Sequence, residues 1–321
     1  MVVALVCADL HFEPWYDPEQ ERDDRRDEIR TRSASKQNMS RYIGSMEVPQ
    51  KCDSDPPLYV LDKVIKDFFD KNQKPGKIFM FGGDTLSHSV NPTVEEQTLF
   101  MNETLKIIRK YFEAKDIFYV PGNHDGTTDR IFQTDNSVDK AWAQALIDND
   151  IIDKSQHDNL LSCGFYVKEI KGHRALINKP TSIICINSIL SNYKPATDGT
   201  GTVCFTNQRA WLKEVMKPNM SYIGLMHYPA YYLLDGIDLS KLKVFFTAHT
   251  HRKDYIRKDY NDVRNYNIPP ITMYDKPVMY YLSFEVQSIF DKDIILDIHE
   301  VNCDYSLSRH KTFERKKKYV S

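Results

Sequence analysis

The chain has 321 residues, which is enough for one large domain or two small ones with a buried core. Apolar residues make up 41% of it and charged residues 27%, and the formal net charge is −2. These values are ordinary for a globular protein. They exclude an acidic disordered chain and argue against a protein that binds nucleic acid through an overall positive charge.

The chain begins with a short apolar segment that leads into Asp9 and His11. This segment lacks the basic region of a signal peptide, so we interpret it as a first strand. No apolar run reaches the roughly 18 residues that span a bilayer, and we therefore expect no transmembrane segment. A cytoplasmic protein is favoured, although a processed secreted or lysosomal chain would have the same N-terminus.

Short apolar runs alternate with longer stretches in which apolar residues recur at spacings of three and four. The first pattern predicts strands and the second predicts helices. The predicted strands are Val2–Ala8, Lys77–Phe81, Asp116–Val120, Phe165–Ile170, Ser182–Ile186, Ser221–Met226, Lys243–Thr247, Val278–Val286 and Ile294–Val301. The predicted helices are Leu58–Lys71, Thr93–Phe112, Ser137–Asp148 and Asn207–Met216. This alternation predicts an α/β fold with a parallel or mixed sheet.

No internal repeat and no Gly/Ser-rich linker divides the sequence, so we expect a single domain over residues 1–321. Within this domain we expect a polar insertion, from about residue 13 to about residue 56, which contains the run of charged residues Asp17–Arg32. The segment Arg252–Lys276 is rich in Tyr, Asn and Pro and is predicted to be a loop beside the site. The short basic tail, about residues 309–321, is predicted to be a solvated chain end.

The six cysteines form no CxxC pair. Cys7, Cys163 and Cys185 lie in apolar runs that resemble strands, and we interpret them as buried free thiols. An even number of cysteines in a chain of this length is weak evidence for disulfides.

Polar residues follow five predicted strands at the point where each strand ends. They are Asp9 with His11, then Asp84, then Asn123 with His124 and Asp125, then His227, and finally His249 with His251. In an open α/β sheet the carboxyl ends of the strands meet at one edge. Each cluster alone is most simply a turn residue or a hydrogen-bonded histidine, but the five together predict one site.

The residue types in these clusters are those that bind a pair of divalent cations. Mixed ligation by His, Asp and Asn suits zinc, manganese or iron. A pair of cations, typically ~3.5–4 Å apart, needs a bridging carboxylate, and Asp84 is the candidate. Such a pair holds a phosphate group and activates a water molecule. The glycines before Asp84 and Asn123 allow the backbone to turn sharply near the metals.

A leaving alkoxide would also need a proton. His124 is the best general-acid candidate, because it adjoins the predicted ligand Asn123 in a turn. Asp125 would orient or polarise His124. His88, four residues after Asp84, could reach the same leaving group or could be a surface histidine.

These motifs resemble the pattern DxH…GD…GNH(D/E)…H…GHxH of the calcineurin-like metallophosphoesterase superfamily, and the match runs from Asp9 to His251. The resemblance implies a four-layer αββα sandwich with two divalent metal ions, zinc being favoured over manganese or iron. It implies that one ion is held by Asp9, His11 and His251, that the other is held by Asn123, His227 and His249, that Asp84 bridges them and that His124 is the acid. One departure is Ala248, where the family usually has Gly; we expect this small residue to be tolerated if its backbone angle is ordinary.

A narrower resemblance is to the acid sphingomyelinase-like phosphodiesterases. It rests on Gly83–His88, which is similar to that subgroup's GDxxxH motif, and on Lys51–Pro56, which is similar to its Cys-Asp-Ser-Pro entry to a helix. The order of Asn207–Leu212, His227–Pro229 and His249–Arg252 also follows the subgroup.

Two departures count against lysosomal sphingomyelin cleavage. The sequence shows no saposin-like segment before Asp9. The subgroup's usual disulfides are not expected either, because no cysteine lies between Cys7 and Cys52 and none lies near His227 to pair with Cys185. Missing disulfide pairs favour a reducing compartment.

The leading hypothesis is therefore a binuclear metal-dependent phosphodiesterase. Its substrate would be a nucleotide or lipid-headgroup phosphodiester, attacked by a metal-bridging hydroxide. The alternatives are a phosphomonoesterase or protein phosphatase on the same site, a nuclease, which the neutral composition disfavours, and a non-catalytic binding module. We expect a small-molecule or lipid-headgroup substrate, no stable nucleic-acid binding and a monomer. Tyr228, Tyr231 and Tyr232 could line a substrate pocket or could equally be core aromatics.

Overall fold

The computed structural model describes the backbone of residues 2–12, 58–87, 92–126, 137–171, 180–191, 200–229, 231–251, 257–260, 262–272, 278–286, 289, 296–302 and 307–313. The predicted polar insertion of about 13–56, with Cys52 in it, lies outside these residues, as does His88. No helix within the described part of the chain has the length and apolar character needed to cross a membrane.

Twelve strands and five α-helices make up the regular structure of the described residues. The strands are β1 Val2–Cys7, β2 Gly76–Phe81, β3 Ile117–Tyr119, β4 Tyr166–Glu169, β5 Thr181–Ile186, β6 Ser221–Met226, β7 Leu242–Thr247, β8 Arg257–Tyr260, β9 Val263–Asn267, β10 Val278–Glu285, β11 Leu296–Asn302 and β12 Leu307–Phe313. The helices are α1 Tyr59–Lys71, α2 Val94–Arg109, α3 Ser137–Asp148, α4 His157–Cys163 and α5 Thr200–Val215.

The strands form two mixed six-stranded sheets. The first has the order β12-β11-β10-β1-β2-β3 and the second β4-β5-β6-β7-β9-β8. In the first sheet β1, β2 and β3 are parallel, whereas β10 to β12 are joined antiparallel. In the second sheet β5, β6, β7 and β9 are parallel and the edge strands β4 and β8 are antiparallel. Two mixed sheets with flanking helices confirm the predicted α/β sandwich.

The two sheets face each other across an apolar core. Phe246 of β7 stacks on Phe284 of β10 with ring centroids 5.0 Å apart. Every residue of β1, β5 and β6 is buried, which explains why these strands are nearly continuous apolar runs. Helix α1 covers the other face of the first sheet, where Tyr281 donates a 2.6 Å hydrogen bond to Asp67. The sheets therefore hold the ends of their strands in fixed relative positions.

Most predicted elements are confirmed within a few residues, but the loop prediction for Arg252–Lys276 is wrong. This segment contains β8 and β9, and β9 pairs in parallel with β7. Its polar composition concealed the strands, because β9 carries Asn265 and Asn267, which are buried polar residues. Helix α5 also begins seven residues before the predicted start at Asn207, and α4 was not predicted.

The predicted solvated tail is wrong for residues 309–313, which belong to β12. The backbone of β12 pairs with β11 from Leu296↔Phe313 to Val301↔Leu307. Strand pairing uses main-chain groups, so the open edge of β11 can accept a segment with basic side chains. Residues 314–321 lie outside the described part of the chain.

The prediction of three buried free thiols is confirmed for Cys7 and Cys185 and wrong for Cys163. Cys163 is the last residue of α4 and forms a disulfide with Cys204 in α5. The two cysteines are 41 residues apart, so the pairing depends on how the helices pack and could not be seen in the sequence. This unexpected disulfide counts against a reducing compartment, whereas the free thiol of Cys185 agrees with the expectation that the subgroup's usual pairing of Cys185 is missing.

Candidate metal centre

The turns that follow β1 and β2 are joined by backbone hydrogen bonds. The amide of Asp9 donates to the carbonyl of Gly83 at 2.9 Å, and the amide of His11 donates to the carbonyl of Asp84 at 3.1 Å. Because β1 and β2 are parallel neighbours, both turns lie at the same edge of the first sheet. Asp9, His11 and Asp84 are consequently buried next to each other.

The second sheet adds His227, which follows β6, and His249 and His251, which follow β7. Two hydrogen bonds cross between the sheets at this point. Nδ1 of His227 lies 2.8 Å from the carbonyl oxygen of Gly82, and the amide of His249 donates to Oδ1 of Asp9 at 3.3 Å. The two sheets therefore contribute to one cluster.

Potential ligand atoms in this cluster lie 3.0–3.8 Å apart. Nε2 of His11 is 3.0 Å from Nε2 of His251, and Nε2 of His227 is 3.0 Å from Oδ1 of Asn123. Oδ1 of Asp9 is 3.8 Å from Nε2 of His251. Two atoms that bind the same ion at about 2.1 Å are about 3.0–3.4 Å apart in octahedral or tetrahedral geometry. The two separations of 3.0 Å fit this range, and the separation of 3.8 Å is slightly longer.

The side chains fall into three groups whose ligand atoms lie within 4.8 Å of one another. The groups are Asp9, His11 and His251; His11, Asp84 and His124; and Asp84, His227 and His249. All seven predicted ligands are thus brought to one place, with Asn123 joined to the third group through His227. The sequence-based assignment of His124 to this site is matched by its position in the second group.

Two of the histidines are held in the orientation that a metal ligand requires. Nδ1 of His11 lies 3.1 Å from the carbonyl oxygen of Leu86, and Nδ1 of His227 has the carbonyl of Gly82 as its partner. A carbonyl can only accept a hydrogen bond, so the proton of the neutral ring lies on Nδ1. The lone pair of Nε2 then points into the cluster in both rings. The donor set therefore fits a divalent metal such as zinc.

The backbone of the site is strained. Seven described residues other than glycine have positive φ, and five of them are predicted ligands: Asp9 at 51°, His11 at 47°, Asp84 at 59°, His249 at 68° and His251 at 47°. A left-handed backbone with a side chain costs about 1 kcal/mol or more at each residue. Such strain persists where it aims side chains at a functional point.

The charges in the cluster shift the pKa values of its members. Burial would raise the pKa of the Asp84 carboxyl, but His227, His11 and His124 around it hold that pKa well below its ordinary value. Burial would likewise lower the pKa of His227, yet the adjacent Asp84 carboxylate raises it to about 9. Asp84 is therefore ionised, and the metal-free His227 is a cation that exchanges its proton for a metal ion.

The carboxylate of Asp125 is hydrogen-bonded to two of the turns that form the site. One of its carboxylate oxygens, Oδ2, accepts hydrogen bonds from the amides of Asp84 at 2.9 Å and Gly122 at 2.8 Å. The same oxygen accepts one from the hydroxyl of Tyr119 at 3.0 Å, and Oδ1 accepts one from the amide of Thr85 at 2.8 Å. Three of these four bonds come from backbone amides, so the carboxylate fixes the turns of the site, and its predicted action on His124 stays a prediction. Burial and the nearby Asp84 charge raise the pKa of Asp125.

Sequence reasoning did not find the residues that support Asp125. The hydroxyls of Tyr119 and Thr85 are hydrogen-bonded to each other, and the side-chain amide of Gln97 donates to the Asp125 carbonyl at 3.0 Å. All three are fully buried polar residues. A polar residue at the end of the apolar strand β3 was a weak signal for Tyr119; Gln97, on helix α2, gave none.

The departure at Ala248 is accommodated. Ala248 is absent from the described non-glycine residues with positive φ, and its amide donates to the carbonyl of His227 at 2.8 Å. The ordinary backbone angle expected for tolerance of Ala is therefore present. His88 lies outside the described residues, so its part in the site stays a prediction.

Two facing mixed sheets with a metal-ligand cluster at the carboxyl ends of their strands define a metallophosphoesterase. More particularly, the chain belongs to the calcineurin-like phosphoesterase family, a metal-dependent family whose model matches residues 3–253. A comparison with curated protein sequences gives no match.

Solved structures of similar fold share little sequence with this chain. GAP50, the anchor in the inner membrane complex of Plasmodium, is 10% identical with a TM-score of 0.47, over 99% of this chain and 90% of that one. NAD nucleotidase from Haemophilus influenzae is 11% identical with a TM-score of 0.42, over 98% of this chain and 50% of that one.

A Staphylococcus aureus protein assigned as a 5′-nucleotidase is 10% identical with a TM-score of 0.42, over 100% of this chain and 56% of that one. The chain thus spans about half the length of both nucleotidases.

Proposed function

We propose that this chain is a binuclear metal-dependent phosphodiesterase. The observation that carries the proposal is the position of Oδ2 of Asp84, which lies 3.6 Å from Nε2 of His11 and 3.3 Å from Nε2 of His227. These two histidines belong to different ligand groups. A carboxylate placed between two groups of ligands is what two neighbouring cations require.

In this proposal one cation is held by Asp9, His11 and His251, and the other by Asn123, His227 and His249, with Asp84 shared. Zinc is favoured because imidazole nitrogens predominate, and manganese or iron would also suit the mixed nitrogen and oxygen donors. When bound, the cations would supply a water molecule of lowered pKa and positive charge against the phosphate oxygens.

His124 would donate the proton that the leaving oxygen needs when the P–O ester bond breaks. Its ring lies at the edge of the cluster, with its centroid 5.2 Å from that of His11. The residue is only partly buried, so a substrate can reach it. Its backbone is fixed by the bond from its amide to Oδ1 of Asp84 at 2.8 Å. Asp125 would act as a positioning residue by holding the turn that carries His124.

A general acid at this position suits an ester whose leaving group is an alkoxide, and the preference for a diester over a monoester rests on the sequence motifs. The motif Gly83–His88 and the later motifs around His227 and His249 support placement near the acid sphingomyelinase-like phosphodiesterases. The substrate would then be a nucleotide or lipid-headgroup phosphodiester.

The test is a substrate panel on metal-stripped chain reloaded with Zn²⁺ or Mn²⁺. Bis-p-nitrophenyl phosphate, p-nitrophenyl phosphate, nucleotides, sphingomyelin and glycerophosphodiesters would be compared. We expect faster diester hydrolysis that requires metal; a clear preference for the monoester would establish the phosphomonoesterase alternative. No metal-dependent hydrolysis of any substrate would favour a binding module.

The His124→Ala variant separates proton donation from metal binding. We expect kcat to fall by about 10²–10⁴-fold on alkyl diesters, by much less on nitrophenyl esters whose leaving group needs no proton, and with metal content retained. An equal loss on both kinds of ester would contradict the role of His124 as acid. Loss of bound metal would assign it as a ligand of the second group instead.

A further inference from the structure

Three aromatic rings contact each other at one side of the metal centre. The centroid of the Tyr228 ring lies 4.3 Å from that of His249, with the ring planes at 71°, and 5.2 Å from that of His227. The His227 and His249 rings are themselves 5.2 Å apart. Tyr228 thus contacts two histidines of the same proposed ligand set, one of which is its neighbour in sequence.

Tyr228 also packs against a small apolar cluster. We call this the disulfide cluster; it consists of Cys163, Phe165, Ile189, Leu190 and Cys204. Tyr228 is partly buried against it. The cluster contains the covalent link between α4 and α5, so it is a firm support for the ring.

Hydrogen bonds fix the backbone of Tyr228 on the same support. Its amide donates to Oγ of Ser188 at 2.7 Å. The preceding residue, Asn187, is fully buried; its side chain donates to the carbonyl of Cys163 at 3.0 Å and accepts from the amide of Ile189 at 3.1 Å. The position of Tyr228 is therefore set from outside the metal centre.

We propose that Tyr228 is a positioning residue that holds the His249 imidazole in place for metal binding. This inference rests on the proposed function. His249 follows the end of β7, is only partly buried and has a strained backbone at φ 68°. Contacts with neighbouring rings restrict its rotamer, and the nearly perpendicular Tyr228 ring lies nearer to it than the His227 ring does. The Tyr228 ring contacts both the disulfide cluster and the histidine, so it can hold the ligand against a fixed support.

The proposal predicts an effect on one ion and not on the other. Tyr228 contacts His227 and His249, which are proposed ligands of one ion. The other ion is proposed to be held by Asp9, His11 and His251, which belong to a different ligand group. Loss of a group that orients a metal ligand typically weakens metal binding about 10–100-fold. We expect Tyr228→Leu to lower the metal affinity of one of the two binding steps by that factor. We expect Tyr228→Phe to bind metal with near-normal affinity in both steps, because the ring is kept.

The experiment is a calorimetric titration of the metal-free full chain with Zn²⁺ and with Mn²⁺. The matched control is Trp211→Leu, because Trp211 packs on the same cluster, 4.7 Å from the Phe165 ring. Melting of the metal-free forms is recorded in parallel. The proposal requires a weakened step in Tyr228→Leu, near-normal binding in Tyr228→Phe, and near-normal binding in Trp211→Leu despite a lowered melting temperature.

Equal weakening in Trp211→Leu, or unchanged binding in Tyr228→Leu, would overturn the proposal. If Tyr228→Leu fails to fold, Ser188→Ala decides: it frees the Tyr228 amide, and we expect a several-fold weakening of the same step, while unchanged binding would count against the proposal. A wild-type chain that binds no ion would refute the proposed function together with this inference. A wild-type chain that binds two ions, with unaltered Tyr228 variants, would refute this inference alone.

Discussion

The backbone amide of His124 donates a hydrogen bond of 2.8 Å to Oδ1 of Asp84. Because of this bond, the two oxygens of the Asp84 carboxylate have different partners. Oδ1 is engaged by the protein, whereas Oδ2 faces Nε2 of His11 and of His227. The orientation of Asp84 is therefore set by backbone before any ion binds.

Asp84→Asn tests the charge of this group separately from its shape. The amide oxygen of Asn can still accept from His124, but it lacks the negative charge that two cations share. We expect metal affinity to fall at least about 100-fold and phosphodiester hydrolysis to fall with it. Metal content by mass spectrometry and hydrolysis of bis-p-nitrophenyl phosphate are the measurements.

Asp62→Asn is the matched control for Asp84→Asn, because it removes a buried negative charge outside the metal centre. Asp62 is a largely buried carboxylate on α1 that pairs with Lys66 at 2.9 Å and Lys110 at 3.4 Å, and its pKa is also lowered. The control should retain metal and activity. Full activity in Asp84→Asn would disprove the bridging role.

Gly122 is required for the close approach of two turns. A Cβ at this position would overlap Oδ1 and the backbone nitrogen of Asp84. Backbone cannot move aside cheaply, so we expect Gly122→Ala to lower the free energy of unfolding by about 1–3 kcal/mol and to reduce bound metal. Urea denaturation and metal analysis would show both effects.

Gly236→Ala is the control for Gly122→Ala, because it adds backbone strain without steric overlap. Gly236 has φ 69°, but a Cβ there has nothing within 4 Å. We expect a cost of about 1 kcal/mol and unchanged metal content. A Gly122→Ala chain with normal metal content would show that the turns can separate without loss of the site.

His227 should make the stability of the metal-free chain depend on pH. Its folded pKa of about 9 lies above its ordinary value of 6.5 because of the Asp84 carboxylate, despite burial. A raised pKa stabilises the folded state fully below pH 6.5, and this stability is lost as pH rises through 9. In chelator, wild type should lose melting temperature over that window relative to His227→Gln. Parallel curves for the two chains would contradict the assignment.

Lys168 should make the stability of the folded chain change with pH in the opposite direction. It is buried on β4, where burial lowers its pKa to about 8 although its Nζ donates to the carbonyls of Ala114 and Ile117. Between about pH 8 and 10.5 the unfolded chain binds the additional proton, so raising the pH stabilises the folded state.

The matched variant for this effect is Lys168→Met. Relative to it, wild type should gain up to about 3 kcal/mol of unfolding free energy across that window, measured by urea denaturation. A pH-independent difference between the two chains would mean that the buried lysine titrates normally.

The proximity of the candidate metal ligands could be predicted from the sequence because the information for it is local. Each predicted ligand follows a short apolar strand, and glycines mark the turns before Asp84 and Asn123. Strand ends that are parallel neighbours must lie close, so five local signals were enough to place the residues together.

The parts that sequence did not reveal depend on contacts between distant segments. Strand β9 is polar and is recognisable only through its pairing with β7. Cys163 and Cys204 meet through the packing of two helices, one of which was not predicted. The bonds that Asp125 accepts from the amides of Asp84 and Thr85, some forty positions earlier, also depend on such contacts.

The distance along the chain between partners in the site affects when that site can first exist. His11 and His251 touch although 240 residues separate them, and β1 lies between β2 and the late strand β10. At synthesis rates of about 5–20 residues per second, roughly 10–50 s pass between the appearance of the first histidine and the second. The nascent chain therefore has Asp9 and His11 without His251 for that time, and the set of these three residues can form only after the second sheet has emerged from the ribosome.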